Sequence, residues 1–501
     1  MKVLGLDLST QSCTGLLLDL TTGSLTSRIE VPYASLPNTY NTQAGCISSG
    51  NRVWCDPRLW LDAVDTLFQR LQDSGLTGEI EAVSGAAQQH GTVYLTSAAF
   101  SSPSDLETTS LAGWLGPGLA TFQSPIWKDA STTRECEEIE ACMGGGEAVQ
   151  RITGSKLYER FAAPQIRKIW KGKTELYETT AYILPIAAFM TAVLAESSSY
   201  SLDYTEGAGT GLMDIRLKAW NEQLLTATAP DLRRKLPNLL LSGSVTGLIR
   251  SYFQQKYGLK ANCKAIIWSG DNPCSALGLG LTAPGTLGVS LGSSDTLFFP
   301  LATVPASSCS TVFLTLTGDY LPIIVVKNGA TARLQVRDFL SLTWESFEQQ
   351  ATQPVSSLFL FFSQVEITPA LSHPLVDPLS PSDPTLCRAL LDSQVLNLKV
   401  ATEGMAGRVR EVRVTGGAAE CRPLLQVLAD VFQVQVCRSE GTDHAALGAA
   451  VSAAYGLVGD WEEAGKRVNR RITERIQPNP GMYAHYLEKE KRFKLLLQSN
   501  Y

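Results

Sequence analysis

Apolar runs at residues 2 to 8, 14 to 20 and 25 to 31 of KVLGLDLSTQSCTGLLLDLTTGSLTSRIEV are separated by turns rich in Ser, Thr and Gly. That pattern predicts three consecutive strands in an antiparallel meander. After a polar loop from Pro37 to Asn51 the period changes. In DPRLWLDAVDTLFQRLQDSG, Trp60, Val64, Leu67, Phe68 and Leu71 fall on one helical face, with Asp56 as N-cap, Pro57 at N1 and Gly75 just past the end. A short strand near Ile80 to Ser84 follows and runs into GAAQQHG. Strands followed by alternating strand and helix predict layered α/β architecture.

Residues 97 to 124 are rich in Ser, Thr, Pro and Gly and read as an irregular insertion, whereas Glu135 to Cys142, Gly146 to Thr153 and Tyr182 to Leu194 read as helices. Near Tyr257 the pattern begins again. CKAIIWSGDNPCSALG reads as strand, turn and helix, and GTLGVSLGSSDTLFFP as two strands around a Gly/Ser turn. The second stretch echoes GLDLSTQSCTGLLLD, which suggests an internal duplication. In VRVTGGAAECRPLLQVLADVF a strand passes through Gly416 and Gly417 into a helix, and in GMYAHYLEKEKRFKLLLQ one helical face carries Tyr483, Tyr486, Leu487, Phe493 and Leu497. The expected division is a first domain over 1–258, a second over 259–480 and a docking helix over 481–501.

At 501 residues the chain exceeds one ordinary core, and 44% hydrophobic with 18% charged residues fits a globular protein. With 42 Lys and Arg against 48 Asp and Glu, the net charge of −6 offers no basic surface for a nucleic acid. No apolar run reaches the length of a membrane span, and a strand pattern directly after Met1 leaves no signal segment, so a cytoplasmic protein is expected. Eleven cysteines without a C-x-x-C pair match neither a disulfide framework nor a zinc finger, and read as small buried residues.

Several nucleotide and catalytic motifs are absent. There is no G-x-x-x-x-G-K-[ST], no H-E-x-x-H and no serine-nucleophile elbow, and GLGLTA at 278 to 283 follows a helix rather than a strand, outside the dinucleotide-binding context. In GLDLSTQSC, Asp7 closes a strand and Ser9, Thr10 and Gln11 form the turn. Backbone N–H groups and hydroxyls there can cradle phosphate while the carboxylate holds a metal through water, or the turn is only a locally hydrogen-bonded hairpin. GSSDT at 292 to 296 carries the same pair of readings. Gly416 and Gly417 either admit a flat or anionic ligand or allow close helix-to-sheet packing. In SGDNP, Asp271 or Asn272 caps a helix or stands as a catalytic group at a strand's C-terminal end. His90, beside Gln88 and Gln89, suits sugar hydroxyls or is structural, and Arg160 and Trp344 read as ordinary helix residues.

Taken in order, GLDLSTQ, SGAAQQHG, SPIWKDASTT, TGSKLYERF, LDYTEGAG, SGDNP, VSLGSSDTLFF, KNGATAR, WESF and VTGGAAE resemble the FGGY carbohydrate kinases from about residue 3 to 457. The likeness is strongest to eukaryotic-type members that act on D-xylulose. It implies two actin-like, ribonuclease-H-like domains facing across a cleft, and ATP-dependent phosphorylation of D-xylulose to D-xylulose 5-phosphate. By the same resemblance Asp271 is the general base, and His90, Arg160, Asp271 and Asn272 hold the sugar. Asp7 and Thr10 belong to the first phosphate loop, with Asp7 near Mg²⁺. Gly292, Ser293, Ser294 and Asp295 form the second loop, and Trp344, Gly416 and Gly417 line the adenosine pocket. Cys421 stands where the family usually has Asn, which removes an expected adenine hydrogen bond. Another ketose or polyol such as ribulose, or a non-catalytic sugar or nucleotide sensor, is the alternative.

Overall fold

The computed structural model describes residues 1–101, 109–292, 294–305, 311–326, 329–352, 359, 385–403, 409–441, 443–468 and 472–499. The chain forms two compact units, each interrupted in sequence. The first holds Met1–Gly280, Val312–Gly318 and Asp443–Asn469, and the second holds Leu281–Thr311, Asp319–Thr442 and Arg470–Tyr501.

In the first unit β1 (Lys2–Leu8), β2 (Ser12–Asp19) and β3 (Ser24–Pro32) form the antiparallel meander that the hydrophobic runs predict. β1 also runs parallel to Ile80–Ala87, that strand parallel to Lys264–Ile266, and the last antiparallel to Val245–Ile249. α1 (Pro57–Asp73) starts at Asp56, whose carboxylate accepts from the Arg58 N–H, and buries Trp60, Val64, Leu67, Phe68 and Leu71. Gly15 of β2 lies against Leu67 of α1, and Gly5 of β1 lies against Ala446 and Ala450 of the helix His444–Val458. Gly15 sits opposite Leu6, one residue on from Gly5, so the two helices cover opposite faces of the sheet.

The second unit repeats this wiring. Thr286–Leu291 is antiparallel to Asp295–Phe298, and that strand to Tyr320–Val326. Thr286–Leu291 is also parallel to Glu411–Thr415, Glu411–Thr415 to Gln435–Ser439, and the latter is antiparallel to Ile472–Ile476. The duplication suggested by two short sequence echoes is therefore a repeat of five strand pairings. Its own core gathers Leu287, Val289, Leu297, Val412, Val414, Leu424 and Leu428.

Four local expectations change. The boundary expected after Tyr257–Gly258 falls inside the first unit, because Lys264–Ile266 completes its sheet and the helix Asp271–Gly278 packs on His444–Val458. That packing is close: a Cβ on Gly448 would lie 1.9 Å from the Cys274 carbonyl oxygen, so only glycine fits. The helix expected over Tyr182 to Leu194 begins as the strand Tyr182–Pro185, paired with Thr92–Leu95, and turns helical only at Ile186. Pro185 holds its predecessor extended and lacks an N–H, so the break falls there. Within residues 97 to 124 a short helix, Leu111–Leu115, interrupts the irregular stretch, of which 102–108 lie outside the described residues. The C-terminal helix Tyr483–Ser499 buries Tyr486 and Phe493 as expected, but Tyr483 and Leu487 are exposed while Lys489 and Glu490 are buried.

Candidate active site

Three parallel strands of the first unit end side by side. Asp7 and Ser269 flank Ala86 in register, and the next row is Leu8, Ala87 and Gly270. The segments beyond these strand ends therefore emerge on one edge: Ser9 and Thr10 after β1, Gln88 to His90 after Ile80–Ala87, and Asp271 and Asn272 after Ser269–Gly270. The C-terminal edge of parallel strands is where open α/β sheets hold ligands.

Asp271 is the first residue of its helix, and the N-cap is Gly270, so the capping reading for Asp271 does not hold. Its Oδ1 accepts from the Asn272 backbone N–H at 2.8 Å and from Asn272 Nδ2 at 3.1 Å. Burial pushes its carboxyl up to about 7, against the pull of the Asn272 and Asp271 backbone N–H groups. Asn272 Nδ2 also donates to Gln89 Oε1 at 2.9 Å, and Gln89 Nε2 donates to Glu206 Oε2 at 3.4 Å. Glu206 accepts in addition from the His90 backbone N–H. Burial, then the nearby Asp203 and Asp271, hold the Glu206 carboxyl well above its ordinary range. Asp203 is the N-cap of the short helix Tyr204–Ala208 and accepts from Thr205, Ser242 and Ser269.

His90 sits in left-handed backbone at φ 70°, which strains a non-glycine residue. Its Nδ1 lies 3.0 Å from the Gly209 carbonyl oxygen, so the proton resides there and Nε2 is left as an acceptor. Its ring stacks on Phe161 at 4.8 Å. Burial, reinforced by the Arg160 charge, lowers the imidazole to about 3, so His90 is neutral at physiological pH. Arg160 lies in a turn rather than the helix expected, with its guanidinium 4.8 Å from the Tyr158 ring.

Asp7 is half-buried, but its Oδ1 is buried and has no hydrogen-bond partner. Burial and then the charges of Asp271 and Asp443 push its carboxyl up to about 8. An orphaned carboxylate oxygen at a strand end suits a hydrated cation. Among the described residues no group of three His, Cys, Asp or Glu could hold a metal, so a cation there would take its other oxygens from water and ligand. Thr10 Oγ1 accepts from Trp127 Nε1 at 2.9 Å and donates to Gln88 Oε1 at 3.5 Å.

The remaining candidates lie in the second unit. Gly292 O accepts from the Ala330 N–H at 2.9 Å, Ser294 is half-buried, and Ser293 lies outside the described residues. Asp295 is buried and paired with Arg333 at 3.1 Å, which makes it a brace of this loop. Gly416, at φ 93°, packs so closely that a Cβ would lie 2.6 Å from the Leu291 carbonyl oxygen, whereas a Cβ on Gly417 would meet nothing within 4 Å. The packing reading thus holds for Gly416, and open space for a ligand remains at Gly417. Trp344 is 44% exposed, begins the helix Trp344–Ala351 and has the Arg337 guanidinium 4.7 Å from its ring. Cys421 is half-buried as N-cap of Arg422–Phe432, and burial raises its thiol to about 11.

Glu206, Asp203 and Trp127 are the participants that residue patterns did not single out. Their motifs LDYTEGAG and SPIWKD were visible, but nothing in one sequence tells a buried Glu from a solvated one.

The model of the FGGY family of carbohydrate kinases, N-terminal domain, matches residues 123–278, and that of its C-terminal domain matches residues 367–457. Xylulose kinase 2 of Arabidopsis thaliana is 33% identical over 490 residues, covering 90% of this chain and 87% of its own. The xylulose kinase of Rattus norvegicus is 34% identical over 463 residues, covering 87% and 86%. The crystal structure of ligand-bound xylulose kinase from Lactobacillus acidophilus is similar in fold, with a TM-score of 0.83 at 20% identity over 99% of this chain and 98% of the other.

Proposed function

The chain belongs to the FGGY family of carbohydrate kinases, and from that premise we propose that it transfers the terminal phosphoryl group of ATP to D-xylulose, giving D-xylulose 5-phosphate, with Asp271 as general base. The enzyme is a phosphotransferase with an alcohol acceptor. D-Xylulose rests on the relatives named xylulose kinase.

The observation that carries the reading is Asp271: a half-buried carboxyl raised to about 7, at the strand edge, bonded to the Asn272 amide that Gln89 holds in turn. An alcohol is a weak nucleophile near neutral pH, and a carboxylate that takes its proton as the phosphorus–oxygen bond forms removes that obstacle. His90 Nε2 and Asn272 Oδ1 accept from sugar hydroxyls, while Arg160 donates to another, since both Asn272 Nδ2 hydrogens are taken by Gln89 and Asp271. The chain of bonds from Glu206 through Gln89 to Asn272 fixes the rotamer of the amide beside the base. Asp7 would hold Mg²⁺ through water, and the ion would neutralise phosphate charge. By the resemblance Thr10 belongs to the first phosphate loop, Gly292, Ser293 and Ser294 to the second, and Trp344 and Gly417 to the adenosine pocket, with Gly416 holding the turn that presents Gly417. With Cys421 in place of an amide, Cys421→Asn should lower the KM for ATP.

A coupled assay of ADP release over D-xylulose, D-ribulose and other ketoses tests the reading. D-Xylulose should give the highest kcat/KM. A different best substrate would replace the acceptor, and sugar binding without ADP release would replace catalysis by sensing.

A further inference from the structure

Away from these residues, the first unit carries an open cavity of about 230 Å³ whose lining includes Arg52, Trp54, Gln123, Lys168, Ile169 and Lys173. It shares no side chain with the candidate active site. Three cations converge on it, and among the described residues none of them has a carboxylate within 4.0 Å. The contrast on one helix is direct: in Ala162–Gly172, Arg167 and Lys171 both pair with Glu138, whereas Lys168 reaches only the Ser131 hydroxyl. Arg52 Nη2 and Lys173 Nζ instead both donate to one neutral atom, Gln123 Oε1, at 3.3 Å each. An amide oxygen thus stands where two cations would hold an anionic oxygen.

The single carboxylate lining the cavity, Asp129, offsets one of the three positive charges and leaves an excess of two. Asp129 is buried, and its oxygens already accept from the Val53 N–H, the Ser131 N–H and hydroxyl, and Gln165 Nε2. Burial lowers the Lys168 ammonium, and the Arg52 and Lys173 charges push it the same way against Asp129 and Glu135. A guanidinium and two ammonium groups suit a doubly charged tetrahedral oxyanion better than a carboxylate. The volume exceeds that of a bare ion, and Trp54 and Ile169 offer apolar wall.

We propose that this cavity binds a small phosphate monoester, with its dianionic head against Arg52, Lys168 and Lys173 and its carbon body against Trp54 and Ile169. The full chain, with D-xylulose and a non-hydrolysable ATP analogue at saturation, is titrated calorimetrically with ribose 5-phosphate, ribose and inorganic phosphate. Ribose 5-phosphate should bind and ribose should not, with inorganic phosphate weaker than the ester. Arg52→Ala and Lys173→Ala should each weaken the ester about tenfold, the usual loss for one charge-assisted hydrogen bond. Gln123→Ala should tighten it, because both cations are released from their internal partner. These positions are exposed or half-buried, and unchanged melting curves will show that the variants fold. Absence of ester binding, binding unaltered in both cation variants, or inorganic phosphate binding as tightly as the ester would each overturn the proposal.

Discussion

Asp271 accepts a proton only when ionised, so a pKa of about 7 makes catalysis fall as solution pH drops through neutrality. The plot of log kcat/KM against pH should bend near 7 and fall toward a slope of one on the acid side. Asp271→Asn keeps the volume and should lower kcat by roughly 10²- to 10⁴-fold, the range for a positioned base. Turnover above about a tenth of wild type would refute the role. His90 makes a contrasting prediction. Its imidazole is neutral from pH 5 to 8, so it should add no bend in that range, and His90→Ala should raise the sugar KM by removing an acceptor whose partner hydroxyl is then left unpaired. Steady-state kinetics in which KM stays at the wild-type value would detach His90 from the sugar. Asp271 and His90 could be found in the sequence because each follows an apolar strand run. Glu206 could not, since its contacts with Gln89 and His90 span 117 and 116 residues.

At the level of elements, continuous apolar runs located β1 and β2 because both of their faces are covered, and helical period located α1 because it buries one apolar face. The C-terminal helix shows where that signal fails. Its period marks a helix, yet Lys489 is buried and Leu487 is exposed, because Asp392 of the helix Leu386–Thr402 supplies an ionic partner that hydropathy does not register. Asp392 accepts from Lys489 at 2.6 Å, Arg388 at 2.9 Å and the Tyr486 hydroxyl at 2.7 Å. Asp392→Ala leaves two buried cations without their shared anion and should cost about 3–5 kcal/mol in urea unfolding. Replacing the acid and both cations together, with Asp392→Leu, Arg388→Met and Lys489→Met, should recover most of that loss because the buried charges leave as a set. A single variant costing less than about 1 kcal/mol, the value of an exposed pair, would mean that water reaches the cluster.

Across the whole molecule, the duplication was legible as two Gly/Ser turns between strand pairs, but the interruption of each unit was not. The helix His444–Val458 returns to the first unit because its Gly and Ala face fits β1 and the helix Asp271–Gly278, a match of shapes that only assembly reveals. The folded first unit also concentrates carboxyls that prefer their protons: Asp7 at about 8, Asp271 at about 7, and Asp203 and Glu206 both raised, in each case foremost by burial. A carboxyl whose folded pKa lies above its unfolded value near 4 stabilises the fold fully below that value. It loses this contribution as pH rises through the folded pKa, since the unfolded chain then binds fewer protons. The ligand-free protein should therefore lose stability between about pH 5 and 8, each group adding up to about 1.4 kcal/mol per pH unit while it remains protonated in the fold alone. Glu138, held down at about 2 by Lys171 and Arg167, acts in the opposite sense but only below its unfolded pKa near 4.5, outside this window. Melting curves of the ligand-free chain at pH 5.5, 6.5, 7.5 and 8.5 should shift steadily downward. Asp271→Asn, which carries no ionisable proton, should show a shallower fall and a higher melting temperature than wild type at pH 8. A melting temperature that climbs across this range, or an Asp271→Asn protein with the wild-type slope, would mean that these carboxyls are ionised in the folded chain.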